Sequence, residues 1–465
     1  MKVSEARKIA FKVLLRFEKG EFKFLKESLN RYIEDARLKK EDVGLVTEIS
    51  YGVMRWRGFL DSEITRFSKK KIVSIDVEVL VILRMAIYQI LFLGRIPNRA
   101  IVDEAARLAY FCRKRSAMAF INGLLRKYLR SQKSEVRNQK PEVAAEQSSV
   151  SNSKQATSDI STYSHPEWMV ERWIKRFGVD GAQRLCQFNN TIPPKVIRVN
   201  TTKISTDQLL KLFREDGIDC KPSKYCEDGL IVSSLQEISK NLLFEKGYFY
   251  IQDEASMLVS KILKPQEGEK ILDMCAAPGG KATHIAQIMG KIGSILAVDN
   301  DLRRLQMIKE NCRRMGITMI KIVCGDGKYS SALFKKKFDR VLVDAPCSGT
   351  GILRRNPEIK WVRSYEDIIS LKKLQTELLA KASECVNTNG ILVYSTCSAE
   401  AEENQEVVEA FLAGHKNFVL EKVKNEVPQE AKKFITGEGY FYSIPVIEDN
   451  SSMNIFFAAK MRRIY

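Results

Sequence analysis

Apolar residues recur at helical spacing through the first 130 positions of the chain. Ile9, Val13 and Leu14 share one face, Leu45, Ile49, Val53 and Met54 a second, and Ile82, Met85, Ala86 and Ile90 a third. Glycine, proline and strand-like alternation are scarce here, so the pattern predicts an all-α bundle over residues 1–132 with these stripes as its core. The long apolar run Val77–Leu93 is interrupted by Glu78, Arg84 and Gln89 and is too short to span a bilayer, so no membrane partner is expected. Periodicity then stops. Residues 133–163 are rich in Ser, Gln and Asn and offer too little apolar surface to order themselves, which predicts a flexible linker.

Structural signals resume at His165-Pro166-Glu167-Trp168. Residues 164–250 combine a helical stretch (Trp168–Phe177) with strand-like segments at Val196–Asn200, Leu230–Val232 and Tyr248–Ile251, and so predict a small α+β domain. Beyond residue 251 the pattern becomes regular. Apolar strands at Ile271–Met274, Ser294–Val298, Ile320–Val323, Arg340–Val343 and Ile391–Tyr394 alternate with helical stretches. That alternation predicts a mostly parallel sheet covered by helices on both faces, an α/β Rossmann-like domain over residues 251–465. The chain is therefore expected to be multidomain.

Composition narrows the function. Over 465 residues, 45% hydrophobic and 29% charged side chains exclude wholesale disorder and fibrous repeats. The formal charge is +19, and most of the excess lies in the first 130 residues, a footprint that favours a phosphate polymer over mere solubility. Lys69-Lys70-Lys71 and Arg113-Lys114-Arg115 are candidate contacts. The N-terminus lacks an uninterrupted apolar signal core, the 10 cysteines never form CxxC, and there are 3 histidines. A reduced, cytoplasmic protein without a metal site is expected.

The predicted strand ends carry the chemistry. In such sheets ligands bind at the carboxyl ends of the strands, near the reversal of strand order. The first strand runs into Cys275, Ala276, Ala277, Pro278, Gly279, Gly280 and Lys281, small residues that let backbone approach a ligand in front of a helix N-terminus. Cys275 and Ala282 break the phosphate-loop pattern. The second strand ends at Asp299, about twenty residues on, placed to accept from ribose hydroxyls. The third ends at Asp326, suited to an adenine amino group. A nucleoside pocket without a phosphate loop fits S-adenosylmethionine. Cys347 and Cys397 follow the fourth and fifth strands, on loops at the same edge.

The segments CAAPGGKAT, AVDNDLRRL, CGDG, VDAPCSGTGILRRNPEIKW and YSTCSAEAEEN resemble the motif series of the RNA cytosine-5 methyltransferases. YGVMRWRGFLD, RMAIYQILFL, RIPNRA and INGLLRKYLR are similar to the NusB-like domain of one branch, the Sun/Fmu/RsmB group. The resemblance implies a class I methyltransferase domain that uses S-adenosylmethionine to methylate a cytosine of small-subunit (16S) ribosomal RNA, with the basic bundle as an RNA-binding module. It implies Cys397 as the nucleophile, Cys347 as the residue that releases product, and Asp344 against the polar edge of the cytosine. The donor would be held by Cys275–Lys281, Asp299, Asp326 and Asp344. Arg354, Arg355, Asn356, Lys360 and Trp361 suit contact with unpaired RNA, although Trp361 is equally expected to pack as core. A monomer is expected. Transfer RNA, another RNA or DNA as substrate, and a non-catalytic RNA-binding or assembly factor, stay open as alternatives. The chain departs from the family pattern at Ala401, where a proline is usual, and at Ser452–Phe457, where a glycine is usual.

Overall fold

The computed structural model describes residues 3–36, 38–135, 163–233, 241–329, 337–445 and 452–465. Except at its ends, the linker expected over 133–163 lies outside the described residues. The chain divides into two compact units, residues 1–191 with 353–362, and residues 192–352 with 363–465.

The first unit is helical: α1 (Glu5–Glu18), α2 (Leu25–Ala36), α3 (Lys40–Ser68), α4 (Val77–Phe92), α5 (Asn98–Phe111), α6 (Met118–Glu135) and α7 (Glu167–Asn190). The stripes turn inward as their spacing requires, with Ile9, Val13, Leu14, Ile49, Val53, Met54, Ile82, Met85 and Ala86 all buried. The apolar run is α4, packed against α1, α3, α5 and α6, which is why it is apolar nearly all round. Its buried Arg84 is neutralised in place. Nε and Nη2 donate to the two Asp61 oxygens at 2.6 and 2.8 Å, and Nη1 lies 3.1 Å from Glu18. Among the described residues no helix is long and apolar enough to cross a membrane.

The second unit opens with a small antiparallel sheet of β1 (Lys195–Val199), β2 (Cys220–Pro222), β3 (Gly229–Val232) and β4 (Phe249–Ile251), in the order β2-β3-β1-β4. Helix α8 (Thr206–Glu215) packs on it and starts at a capping box formed by Ser205 and Gln208. The short helix α9 (Leu242–Glu245) precedes β4, and α10 (Glu254–Leu263) leads into the large sheet.

That sheet is built from β5 (Lys270–Met274), β6 (Ser294–Asp299), β7 (Ile320–Cys324), β8 (Phe338–Asp344), β9 (Val386–Thr396), β10 (Phe418–Glu421), β11 (Phe441–Tyr442) and β12 (Phe457–Arg463). The order is β10-β12-β9-β8-β5-β6-β7, with β11 on β12. Strands β5 to β9 pair in parallel, while β10, β11 and β12 close one side antiparallel. Helices α11 (Gly280–Met289) and α12 (Leu302–Met315) provide the crossovers on the β5-β6-β7 side. The chain moves outward from β5 through β6 to β7, then returns to the other side of β5 with β8 and β9. The reversal between β5 and β8 is the switch point at which such sheets bind ligands.

Candidate active site

Register brings the predicted strand ends to one edge. Met274 pairs with Val298 and Val343, Asp299 with Cys324, and Asp344 with Ser395. The loops after β5, β6, β7, β8 and β9 therefore emerge side by side, although they are spread over more than a hundred residues of chain.

The loop after β5 is held in a tight, strained form. Cys275 has φ +64°, outside the usual range for a residue with a Cβ, and Gly279 has φ +98°, where glycine is the natural choice. Asp299 shapes this loop from the next strand: one carboxylate oxygen accepts from the Ala277 amide at 3.0 Å, the other from the Asp301 amide at 3.1 Å. Each oxygen keeps a further lone pair for a ligand hydroxyl. Asp326 is half-buried beyond β7 and accepts from the Lys328 amide at 3.0 Å. Ala276 and Ala277 are buried, Pro278 is exposed, and Gly280 begins α11 with its first-turn amides free of helical partners.

At the switch point Lys281 and Asp344 meet. The Lys281 ammonium donates to Asp344 Oδ2 at 2.7 Å, and the Ser395 hydroxyl donates to Oδ1 at 2.9 Å. Beneath them Asp273 is fully buried, and neither of its oxygens finds a donor among the described residues. Burial, reinforced by the negative charge of Asp344, pushes its carboxyl well above the usual range. What this edge offers a polar donor is the part-exposed Asp344 beside the small-residue loop, with Asp299 and Asp326 at the neighbouring strand tips.

Cys347 and Cys397 stand 3.2 Å apart, sulfur to sulfur. The Cys397 sulfur beside it, followed by burial, pushes the Cys347 thiol well above its ordinary value. Gly351 allows this approach: its amide donates to the Cys397 carbonyl at 2.9 Å, and a Cβ there would sit 2.7 Å from that oxygen and 2.2 Å from the Ile455 carbonyl.

The residues that hold the two cysteine loops together lie mostly within the segments that resemble the family motifs, but nothing in the sequence gave them a role. Glu403 is fully buried between them. It accepts from the Ser348 amide at 2.8 Å, from Gln375 Nε2 at 3.0 Å, and from the hydroxyls of Ser348 and Ser398. Gln375, in the helix Tyr365–Ser383, also donates to the Pro346 carbonyl at 2.8 Å. Asn404 accepts from the Thr396 hydroxyl and donates to the Ser398 carbonyl at 2.9 Å. The signals available were the Glu-Glu-Asn that ends the second motif and a Ser directly after each cysteine.

One expectation is overturned. Within the stretch Arg354–Trp361, which belongs to the helical unit, Arg354, Lys360 and Trp361 turn into the fold rather than toward RNA. Lys360 is fully buried, and its ammonium donates to the carbonyls of Arg55 and Ser164 and to Asn190 Oδ1 at 2.8, 2.9 and 3.0 Å. Trp361 Nε1 donates to the Met54 carbonyl at 2.7 Å, and its ring packs on the helical core. Arg354 is buried over the Phe188 ring. A cation and an aromatic in one loop satisfy packing as readily as they satisfy RNA. Elsewhere in this unit Lys114 is tied to Asp76 at 2.7 Å, whereas Arg113 and Arg115 line a surface recess of about 420 Å³ with Lys8, Tyr110 and Phe111.

Comparison with known proteins gives three family matches along the chain. They are the NusB family over residues 4–130, an RsmF/B-like ferredoxin-like domain over 165–239, and 16S rRNA methyltransferase RsmB/F over 260–462. A probable ribosomal RNA small subunit methyltransferase B of Bacillus subtilis (strain 168) is 32% identical over 437 residues, 94% of each chain. The crystal structure of PH0851 matches with a TM-score of 0.78 at 25% identity, covering 100% of both chains. NSun6 from Pyrococcus horikoshii, solved with SFG, matches with a TM-score of 0.57 at 24% identity, over 64% of this chain and 98% of its own.

Proposed function

Since the chain belongs to the RsmB/F family of ribosomal RNA methyltransferases, we propose that it transfers a methyl group from S-adenosylmethionine to C5 of a cytosine in small-subunit ribosomal RNA through a covalent cysteine adduct. The observation that carries this reading is the thiol pair Cys347–Cys397 at the tips of adjacent strands, beside the Lys281–Asp344 pair. Cytosine C5 is a poor nucleophile. Addition of the Cys397 sulfur to C6 converts the ring to an enamine whose C5 takes the methyl group from the sulfonium, releasing the neutral thioether; a base then removes the C5 proton as the C6–S bond breaks, which expels the sulfur and restores the ring. With its sulfur 3.2 Å from that of Cys397, Cys347 is placed to exchange a proton with the departing sulfur in the release half of this cycle. The Asp344 carboxylate would accept a hydrogen bond from the N3 proton during addition.

The donor would lie against Cys275–Lys281, with Asp299 toward its ribose and Asp326 toward its adenine. The SFG in the NSun6 structure, an analogue of S-adenosylmethionine, supports that choice of donor. For the RNA, the recess lined by Arg113, Arg115 and Tyr110 offers cations, with Arg115 stacked on the part-exposed Tyr110 ring at 4.1 Å, a combination suited to the phosphates of a nucleic acid.

Trapping with small-subunit RNA containing 5-fluorocytosine tests the reading, because fluorine at C5 blocks the final elimination. The expected cross-link is to Cys397, lost in Cys397→Ala, while Cys347→Ala accumulates adduct on ordinary RNA. A cross-link to Cys347 would reverse the roles. Bisulfite sequencing of ribosomal and transfer RNA from cells with and without the gene identifies the substrate.

A further inference from the structure

We infer that Arg198 is a positioning residue for the methyl-donor loop, acting from the small sheet through the first turn of α11; this rests on the donor-site reading above. Arg198 lies in β1, paired with Gly229 of β3 and Tyr250 of β4, and is fully buried. Its guanidinium reaches out of the small sheet. Nη1 donates to the Gly280 carbonyl at 2.7 Å and to Gln252 Oε1, and Nη2 donates to the Thr283 hydroxyl at 2.9 Å. That hydroxyl in turn donates to the Gly279 carbonyl at 2.7 Å. The relay therefore holds both glycines at the mouth of α11, including Gly279 at φ +98°. The Tyr250 ring covers the guanidinium at 5.4 Å and also lies 3.3 Å from where a Cβ on Gly280 would sit, so the loop has little slack on this side.

Energetics argue against a role in stability alone. The cation is buried among neutral oxygens, with no carboxylate within ion-pair distance among the described residues, and Nε has no partner there. Desolvating a cation that has no ion-pair partner is costly, and the hydrogen bonds it makes to the loop have to offset that cost. Burial lowers its pKa to about 10, so it stays charged at neutral pH. What the guanidinium provides is direction: a planar fork serves Gly280, Gln252 and Thr283 at once, which the single nitrogen of a lysine cannot do with the same geometry. Two residues along, the Asn200 amide donates to the carbonyls of Gly247 and Met315 at 2.9 and 3.0 Å. The end of β1 thus grips the start of α11 and the end of α12, the helices on either side of β6 in the chain, and Asp299 stands at the tip of that strand.

The test uses the full chain carrying Arg198→Lys or Thr283→Val. It combines calorimetric titration with S-adenosylhomocysteine and steady-state methylation in which donor and RNA are varied separately. Dissociation constant and KM for the donor should rise about tenfold in Arg198→Lys and about threefold in Thr283→Val. The KM for RNA should not move, and kcat at saturating donor should fall by no more than about twofold. Unchanged donor affinity in both variants overturns the inference. So does a common loss in donor affinity, RNA KM and kcat, which would mark general loosening. Should Arg198→Lys fail to fold, Thr283→Val decides by the same criteria. A wild type that binds no S-adenosylhomocysteine overturns the donor-site reading and this inference together, whereas binding that is normal in wild type and both variants overturns this inference alone.

Discussion

Two buried lysines separate what a motif contributes to chemistry from what it contributes to folding. Lys281 and Lys360 both lie in segments that resemble family motifs, and both are almost without solvent contact. Lys360 spends all three donors on neutral oxygens of the helical unit, two of them backbone carbonyls. Lys281 donates to Asp344, a carboxylate whose side chain remains about a third exposed at the ligand edge of the sheet. A cation with every donor satisfied inside the fold has nothing left for a ligand. One paired to a part-exposed acid keeps a charged pair where a ligand can arrive. Burial alone does not distinguish them; the identity and exposure of the partner does.

The comparison can be broken at four points. Glu403→Ala should have the largest effect: with both cysteine loops released, methyl transfer per folded molecule should fall by about 10²–10³-fold, measured by tritium incorporation into RNA. A near-normal rate would show that the thiol pair is aligned without Glu403. Lys360→Met should cost about 3 kcal/mol of stability, because three buried acceptors lose their donor; denaturant unfolding reads this. The rate per folded molecule should be preserved, and a selective loss of RNA affinity would restore Lys360 to the RNA surface. For Lys281→Met the order reverses, with activity down about thirtyfold and the unfolding midpoint shifted little. A stability loss as large as that of Lys360→Met would make Lys281 structural too.

The smallest effect tests a buried histidine inside the second unit. His284 is fully buried with Nε2 at 2.9 Å from Asp228, and burial pushes its pKa down to about 4. Because the folded value lies below the unfolded one near 6.5, its contribution is complete above pH 6.5 and is lost as the pH falls toward 4. Wild type should lose roughly 2 kcal/mol more than His284→Gln over that window, as read from melting temperatures at pH 7 and 4.5. Parallel pH profiles would remove the histidine from the account.

By itself the sequence determined the helical stripes, the alternation that makes a mostly parallel sheet, and the strand ends that carry Gly279, Asp299, Asp326, Asp344 and the two cysteines. These are local properties: helix and strand periods repeat within a few residues, and a turn is written where it occurs. Only the tertiary structure decided partners across the chain. Cys347 and Cys397 are 50 residues apart in sequence and 3.2 Å apart in space. Glu403 reads as one acid of a family-like motif, with no role until two loops close around it, and Arg198 as one more strand residue until α11 packs beside it. Lys360 looked ready for RNA until α3 and α7 supplied its acceptors. Periodicity says which face of an element is covered, but not by what, and the chemistry of a buried polar group is set by what covers it.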